Sequence, residues 1–446
     1  MKKITFFLPL LFFIAFSSCA QTVAPPLNKA KLDSLLNALQ KNNKAMMSLA
    51  VMRDGKVVYS KAIGDADRSS TKPIAATPQT KYRIGSITKM FTGTMIFQLI
   101  QEGKLSLTTP LSTYFPQLPN AEKITIANLL NHSSGLFNFT NDPGYVATLA
   151  QKVSQEELLA KFQHATVFEP GTKHEYSNTN YVLLGFIIEK LDKKTYDAAL
   201  KTRITSKIGL KDTYYGGKIN PSNNEANSYK WIGSWTPDSE TDMSIPCGAG
   251  AMVSTPSDLV KFIDALFSGK LISQESLTQM KTLQGNYGMA MFVIPFYERQ
   301  GYGHNGGIDG FQSVLAYYPT DKTAIAITAN GVNTLLNNVT IGVLSIVFNK
   351  PYTIPSYANT FSVKSEDLDQ YLGIYSTDKL PFKIAITKKD GILYGQATGQ
   401  SAFPLEPVKA NVFTLESAGI TGTFDVEKKQ MTFQQNGATF IMTKDE

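Results

Sequence analysis

The chain is poor in cysteine and in histidine: its 446 residues hold two of the first and four of the second. Two cysteines exclude a disulfide-built scaffold, so a chain of this length relies on an apolar core. The scarcity of histidine makes the single His-x-Gly, at His304, stand out. Charge is modest. The formal balance is +7 with 18% charged residues, and Lys2 and Lys3 supply two of those positive charges. No dense basic cluster and no basic stripe interleaved with aromatics occurs, which argues against nucleic acid as a partner. There is no repeat of solenoid length and no low-complexity tract. What remains is ordinary globular composition, 43% hydrophobic, enough for one large or two modest domains.

The one long apolar run opens the chain, "MKKITFFLPLLFFIAFSSC". Two lysines, an apolar stretch and then small residues read as a secretory signal over residues 1–18. The run is too short to favour a stable membrane span. Phe16-Ser17-Ser18-Cys19 resembles a bacterial lipobox, although Phe16 stands where Leu or Val is commoner, so cleavage without lipidation stays open. The expectation is an exported envelope protein anchored to the membrane through a lipid on Cys19, with residues 19–29 as a tether. Cys247 then has no partner. Its setting, "IPCGAGAMVS", suits a small buried residue better than a second nucleophile.

Periodicity divides the rest. Residues 31–40 have helical spacing, and 46–64 read as a hairpin around Asp54-Gly55. A helix is expected over 86–101. Further helical spacing marks 124–131, 154–163, 179–192 and 256–268. From 287 onward "YGMAMFVI", "QGYGHNGG", "GFQSVLAYYP" and "TAIAITAN" predict antiparallel strands, closed by a helix over 332–349. Pro351 and Pro355 mark a linker over 351–365. Residues 366–446 carry short alternating strands, expected to form a small all-β, barrel-like accessory domain.

Three short motifs carry chemistry. Ser86-Ile-Thr-Lys89 opens a periodic helix, where side chains three apart are neighbours. Ser86 read as a helix cap is adequate, but a capping box wants Glu or Gln where Lys89 stands. A cation is also unfavourable at a helix N-terminus. Read instead as nucleophile and base, the pair makes sense: burial and the helix end both lower a lysine pKa. Ser-x-x-Lys recurs at Ser69–Lys72 and Ser376–Lys379, but in loops. Tyr176-Ser177-Asn178 sits at a second loop-to-helix junction. Its phenol can relay a proton and its amide can hold a carbonyl or orient the lysine. His304-Asn305-Gly306-Gly307 is expected at the end of a strand, where glycines offer backbone N–H donors. His132-Ser133-Ser134-Gly135-Leu136 ends a short helix and reads as structural.

In that order the three motifs resemble those of the serine β-lactamase and penicillin-binding-protein superfamily. The third, His-x-Gly in place of Lys-Thr-Gly, resembles the branch of D-Ala-D-Ala carboxypeptidases, D-aminopeptidases and esterases near the class C enzymes. "LLNHSSGL" and "GAGAMVSTPSDLVKF" are similar to that branch as well. The resemblance spans residues 30–350. It implies an α/β (α+β) fold: an antiparallel sheet flanked by helices, with an inserted helical domain and the site at their junction. It further implies that Ser86 forms an acyl-enzyme and that Lys89 and Tyr176 share proton transfer. Asn178 then positions substrate and His304 lines the site beside Gly306. The N–H groups of Ser86 and Gly307 form the oxyanion hole. No metal and no cofactor is implied. The implied partner is a small peptide, ester or β-lactam, and His304 weakens the β-lactam reading. A non-catalytic or slowly deacylating penicillin-binding sensor on the same fold is the alternative. The sequence does not give the oligomeric state.

Cys19→Ala is expected to release the protein from the membrane fraction and to abolish labelling by a radioactive fatty acid. Unchanged membrane association in the variant would contradict the anchor.

Overall fold

The computed structural model describes residues 26–445, apart from 286, 358–360, 362, 401 and 436. The signal and Cys19 lie outside the described residues. Among the described residues no helix is long and apolar enough to cross a membrane.

The larger domain opens with α1 (Lys29–Lys41), whose Asn28 side chain caps the first turn, and continues into the hairpin β1 (Ala45–Arg53) and β2 (Lys56–Ile63). Asp54 and Gly55 both take the left-handed conformation that a two-residue hairpin turn demands. Two helices, α2 (Thr88–Gln101) and α3 (Asn178–Asp192), then form the centre of the helical region. A small hairpin follows, β3 (Tyr229–Trp231) and β4 (Trp235–Pro237), and then α4 (Pro256–Phe267). The chain returns as a meander: β5 (Phe292–Phe296), β6 (Arg299–Ile308), β7 (Phe311–Tyr318) and β8 (Thr323–Val332). The helix α5 (Leu336–Val347) ends this part.

These strands make one antiparallel sheet of order β5-β6-β7-β8-β1-β2. The first hairpin therefore joins the last strand, Ala50 opposite Ala326, so the domain's two ends are stitched by the sheet itself. Both faces are covered. Leu49, Val51, Val314 and Ile325 pack with α1 and α5, whereas Ala50, Met52, Leu315 and Ala326 pack with the helical region. This alternation along each strand is the period-two pattern of a sheet buried on both sides. Among the apolar contacts of the helical side, Phe91 of α2 stacks on Phe262 of α4, ring centroids 3.6 Å apart.

Differences from the sequence expectation lie at element ends. The predicted strand at 287–294 begins only at Phe292. Upstream, Met289 and Ala290 give their N–H groups to Met280 and Leu130 of the helical region, and Ala290 has φ 71, so the segment cannot join the ladder. The helix expected at 332–349 is shorter because β8 runs on to Val332. His304 lies inside β6 rather than at its end.

Beyond the linker, eight strands between Gly373 and Lys444 close into an antiparallel barrel. Its interior is filled by Tyr371, Leu393, Phe413, Phe424 and Met442 among others. Closure leaves no open sheet edge, the usual answer to the hazard of unpaired strands.

Phe262→Ala is expected to lower the unfolding free energy by about 3–5 kcal/mol, the range for deleting a buried phenyl ring. Urea denaturation measures this. A loss below about 1 kcal/mol would mean that the α2–α4 contact does not hold the helical region together.

Candidate active site

Ser86 sits in a 3-10 turn, Gly85–Ile87, that runs directly into α2. The residues flanking the turn and the helix, Ile84 and Ile87, make no side-chain cap, so the capping reading of Ser86 has no support in the geometry. Its hydroxyl is engaged by Lys89 and by the Tyr176 phenol instead. The turn is pressed against β6. Gly85 has φ 49, and a Cβ there would lie 2.7 Å from the Gly307 nitrogen. A Cβ on Gly306 would lie 2.0 Å from the Ile84 carbonyl oxygen. Both positions thus need glycine to let the Ser86 turn touch the strand. The backbone of Gly307 is thereby brought beside that of Ser86.

Lys89 is fully buried. Its Nζ is 3.0 Å from Ser86 Oγ, 2.8 Å from Asn178 Oδ1 and 2.8 Å from the Ala249 carbonyl oxygen. Burial holds its pKa well below the ordinary 10.5. The partners can accommodate a neutral amine. Two of the three partners are carbonyl oxygens and only accept. An amine spends its two protons on them and keeps its lone pair for the third, the serine hydroxyl, which can donate. Among the described residues no carboxylate forms an ion pair with the nitrogen. The faces of Tyr176 and Tyr181 lie 4.9 and 5.6 Å away.

Tyr176 and Asn178 come from the loop that starts α3. The Asn178 amide is oriented by Thr140, which accepts from Nδ2 at 3.3 Å. Burial keeps the Tyr176 phenol above its ordinary pKa, so it is protonated at neutral pH. The loop is fixed from behind by His132. That ring is fully buried, lies 4.3 Å from the Tyr176 ring, and its Nδ1 accepts the Ser177 N–H at 3.2 Å. Burial lowers the His132 pKa well below 6.5, so it is neutral and free to accept. The segment that reads as structural in the sequence is therefore the support of Tyr176.

His304 is also buried. Its Nδ1 faces the Asn305 carbonyl at 2.5 Å, and a carbonyl cannot donate, so Nδ1 carries the proton. Nε2 is then the acceptor and faces the Tyr287 hydroxyl at 3.3 Å. Burial pushes the His304 pKa down to about 3. The imidazole is neutral and sits among Tyr287 and Phe292. The wall that β6 gives to the open pocket is made by Gly307, with Ile308 and Asp309 following.

That pocket, about 380 Å³, is lined by Ser86 and Asn178 on one side and by Tyr145, Thr241 and Asp309 on the others. Asp309 forms a buried ion pair with Arg83 at 3.0 Å and accepts from the Thr241 hydroxyl at 2.6 Å. Burial raises its pKa in spite of these partners. Arg83 also binds Glu240 at 3.0 Å, so its charge is spent within the wall. None of this network was apparent from the sequence. Its only local signals are an arginine three residues before Ser86 and an aspartate two residues after Gly307. Arg299 is remote: it pairs with Asp321 and Glu298 and lies over Phe348. Cys247 is partly buried, its thiol pushed up to about 12 by burial, which fits a packing residue.

Residues 32–340 match the family model described as Beta-lactamase. The chain belongs to the beta-lactamase family. Members of this family are serine hydrolases. Putative penicillin-binding protein PbpX of Bacillus subtilis (strain 168) is 29% identical over 307 residues, 68% of this chain and 73% of that one. Penicillin-binding protein 4* of the same organism is 26% identical over 430 residues, 89% of this chain and 94% of that protein, so this similarity extends into the barrel region. Among solved structures, the D-amino acid amidase of Ochrobactrum anthropi SV3 complexed with D-phenylalanine superposes with a TM-score of 0.61 at 30% identity. That match covers 72% of this chain and 99% of the amidase.

A neutral Lys89 has a thermodynamic signature. Unfolding returns it to an ordinary pKa near 10.5, so between its lowered folded value and 10.5 the unfolded state binds more protons than the folded one. Stability must then rise with pH until 10.5 is reached. Lys89→Met removes this dependence. The stability of Lys89→Met relative to the parent is expected to grow as pH falls from about 10 towards 7, measured by urea unfolding at each pH. A pH-independent difference would mean that Lys89 is an ammonium in the folded protein.

Proposed function

We propose that the protein is an exported serine amidohydrolase that acts through an acyl-enzyme on Ser86. Its substrate is a small amide, a D-amino acid amide or short D-Ala-type peptide, with simple esters as accessory substrates. The observation that carries this reading is the buried Lys89 amine. It has two pure acceptors and one hydroxyl around it, and that hydroxyl faces an open pocket.

The Lys89 lone pair takes the Ser86 proton as Oγ attacks the carbonyl carbon. The oxyanion is received by the N–H groups of Ser86 and Gly307, backbones already in contact through Gly85. Tyr176, a phenol at neutral pH, gives its proton to the leaving nitrogen and is reprotonated from Lys89. Water then attacks the acyl-enzyme by the reverse relay, returning Ser86 and releasing the acid. His304 contributes no charge: it packs behind Tyr176 and fixes Tyr287. Asn178 holds Lys89 on one side and the substrate amide on the other.

The pocket wall supports the choice of substrate. Asp238 and Asp309 face it, and the nearby arginine is already paired twice. Such a wall favours an uncharged or amine-bearing group over the carboxylate that a β-lactam presents. The D-amino acid amidase likeness points the same way. With the lipobox-like Cys19, we place the activity at the bacterial cell envelope, tethered by a lipid.

Ser86→Ala is expected to reduce turnover of D-phenylalanine amide by at least about 10³-fold. It should also abolish the transient mass adduct seen when the parent is quenched with an activated ester. Full activity in Ser86→Ala would overturn the assignment. A lasting adduct without turnover in the parent would instead mark a sensor.

A further inference from the structure

The two tryptophans of the chain, Trp231 and Trp235, lie on one element, the β3–β4 hairpin, with ring centroids 5.0 Å apart. This hairpin touches three things at once. Its tip meets the barrel: the Trp231 indole N–H donates to the Glu406 carboxylate, and Gly233 lies against Ile392, a Cβ there being 3.1 Å from the side chain. Its flanks are seated on the large sheet. A Cβ on Gly331 would fall 2.8 Å from the Trp235 ring, and one on Gly310 would fall 2.6 Å from the Tyr229 carbonyl oxygen. Its last strand runs without interruption into Asp238, Ser239 and Thr241, which line the pocket. Thr241 in turn holds Asp309, the neighbour of Gly310.

Glu406 has a second anchor. Asn333, just past β8, donates to it at 3.3 Å, while Glu416 of the barrel takes Lys44 at 2.8 Å and Thr334 at 2.6 Å. The barrel is thus pinned to the sheet end at 333–334, and from that fixed point Glu406 reaches the hairpin. An indole N–H left without an acceptor in a partly buried site carries a desolvation cost, which gives the hairpin a reason to follow the barrel.

We propose that the barrel is a positioning domain for the substrate pocket, with Glu406 and Trp231 as positioning residues that set the Asp238–Thr241 wall. This deepens the amidohydrolase reading and rests on it for the identity of the pocket. The linkage acts on the Asp238–Thr241 wall and not on the hydrogen bonds that join Lys89 to Ser86 and Asn178. Loss of the Glu406–Trp231 contact should therefore weaken binding of a substrate long enough to meet the wall and leave the reacting atoms alone, raising KM with little change in kcat.

The test compares Glu406→Ala, Glu406→Gln and Trp231→Phe in the full chain. Two substrates are used: D-phenylalanine p-nitroanilide, which fills the pocket, and p-nitrophenyl acetate, which reaches Ser86 alone. The expected result for Glu406→Ala is a KM about tenfold higher for the anilide, with kcat and acetate turnover within about twofold. Glu406→Gln keeps an acceptor for the indole and should restore the parent KM. Tryptophan emission reports only this hairpin and should shift to the red in Glu406→Ala but not in Glu406→Gln. An unshifted emission in Glu406→Ala, or a shifted emission with an unchanged KM, would overturn the proposal. Failure of the amidohydrolase reading is seen separately, as turnover that survives Ser86→Ala.

Discussion

A lysine amine with no carboxylate partner among the described residues, sealed inside the protein and bonded to a serine hydroxyl, is the constraint around which the larger domain is arranged. Removing an ammonium from water without a carboxylate partner is so costly that the group gives up its proton. Everything that touches Lys89 follows from that. Asn178 and the Ala249 carbonyl accept its two protons, and the tyrosine faces around it exclude water. The site converts a stability cost into a base at neutral pH, an exchange of fold stability for chemistry that is common at active sites.

The fold serves this by bringing three distant segments to one point. The Ser86 turn is held against β6 by two glycines whose Cβ atoms would collide with backbone. The Tyr176 loop is held from behind by a neutral histidine that accepts a backbone N–H. The sheet closes the arrangement, because β1 pairs with β8 and fixes the start of the domain to its end. Two neutral histidines in the surroundings are part of the same logic. Protonation of His304 or His132 would place a cation beside the Lys89 amine, and burial keeps both uncharged.

What the sequence revealed and what it hid divide along a physical line. Motifs whose members are close in the chain, or that open a periodic helix, were legible: Ser86 with Lys89, Tyr176 with Asn178, the glycines after His304. The two decoys were separable too. Ser69 is bonded to Asp67 and Ser376 to Asp445, and neither meets a lysine across a helical turn. The barrel announced itself through short alternating strands. What stayed hidden depends on contacts between residues far apart in sequence, which leave no periodicity to read. The Arg83–Asp309 pair spans 226 positions and the Trp231–Glu406 contact spans 175. His304 is expected at a strand end, yet the strand runs on through its glycine neighbours, because Gly306 and Gly307 pair with Ser313 and Gln312 of β7, partners that lie outside the motif.

The central claim is that Lys89 is a neutral amine when Ser86 is ready to react. The most direct measurement is the ¹⁵N resonance of its side chain in lysine-labelled protein, assigned by its loss in Lys89→Met and followed through pH. The account predicts a signal with the shift of a free amine at pH 7, still unprotonated well below the ordinary lysine value of 10.5. A Lys89 signal that remains an ammonium at neutral pH and titrates with the surface lysines would contradict it.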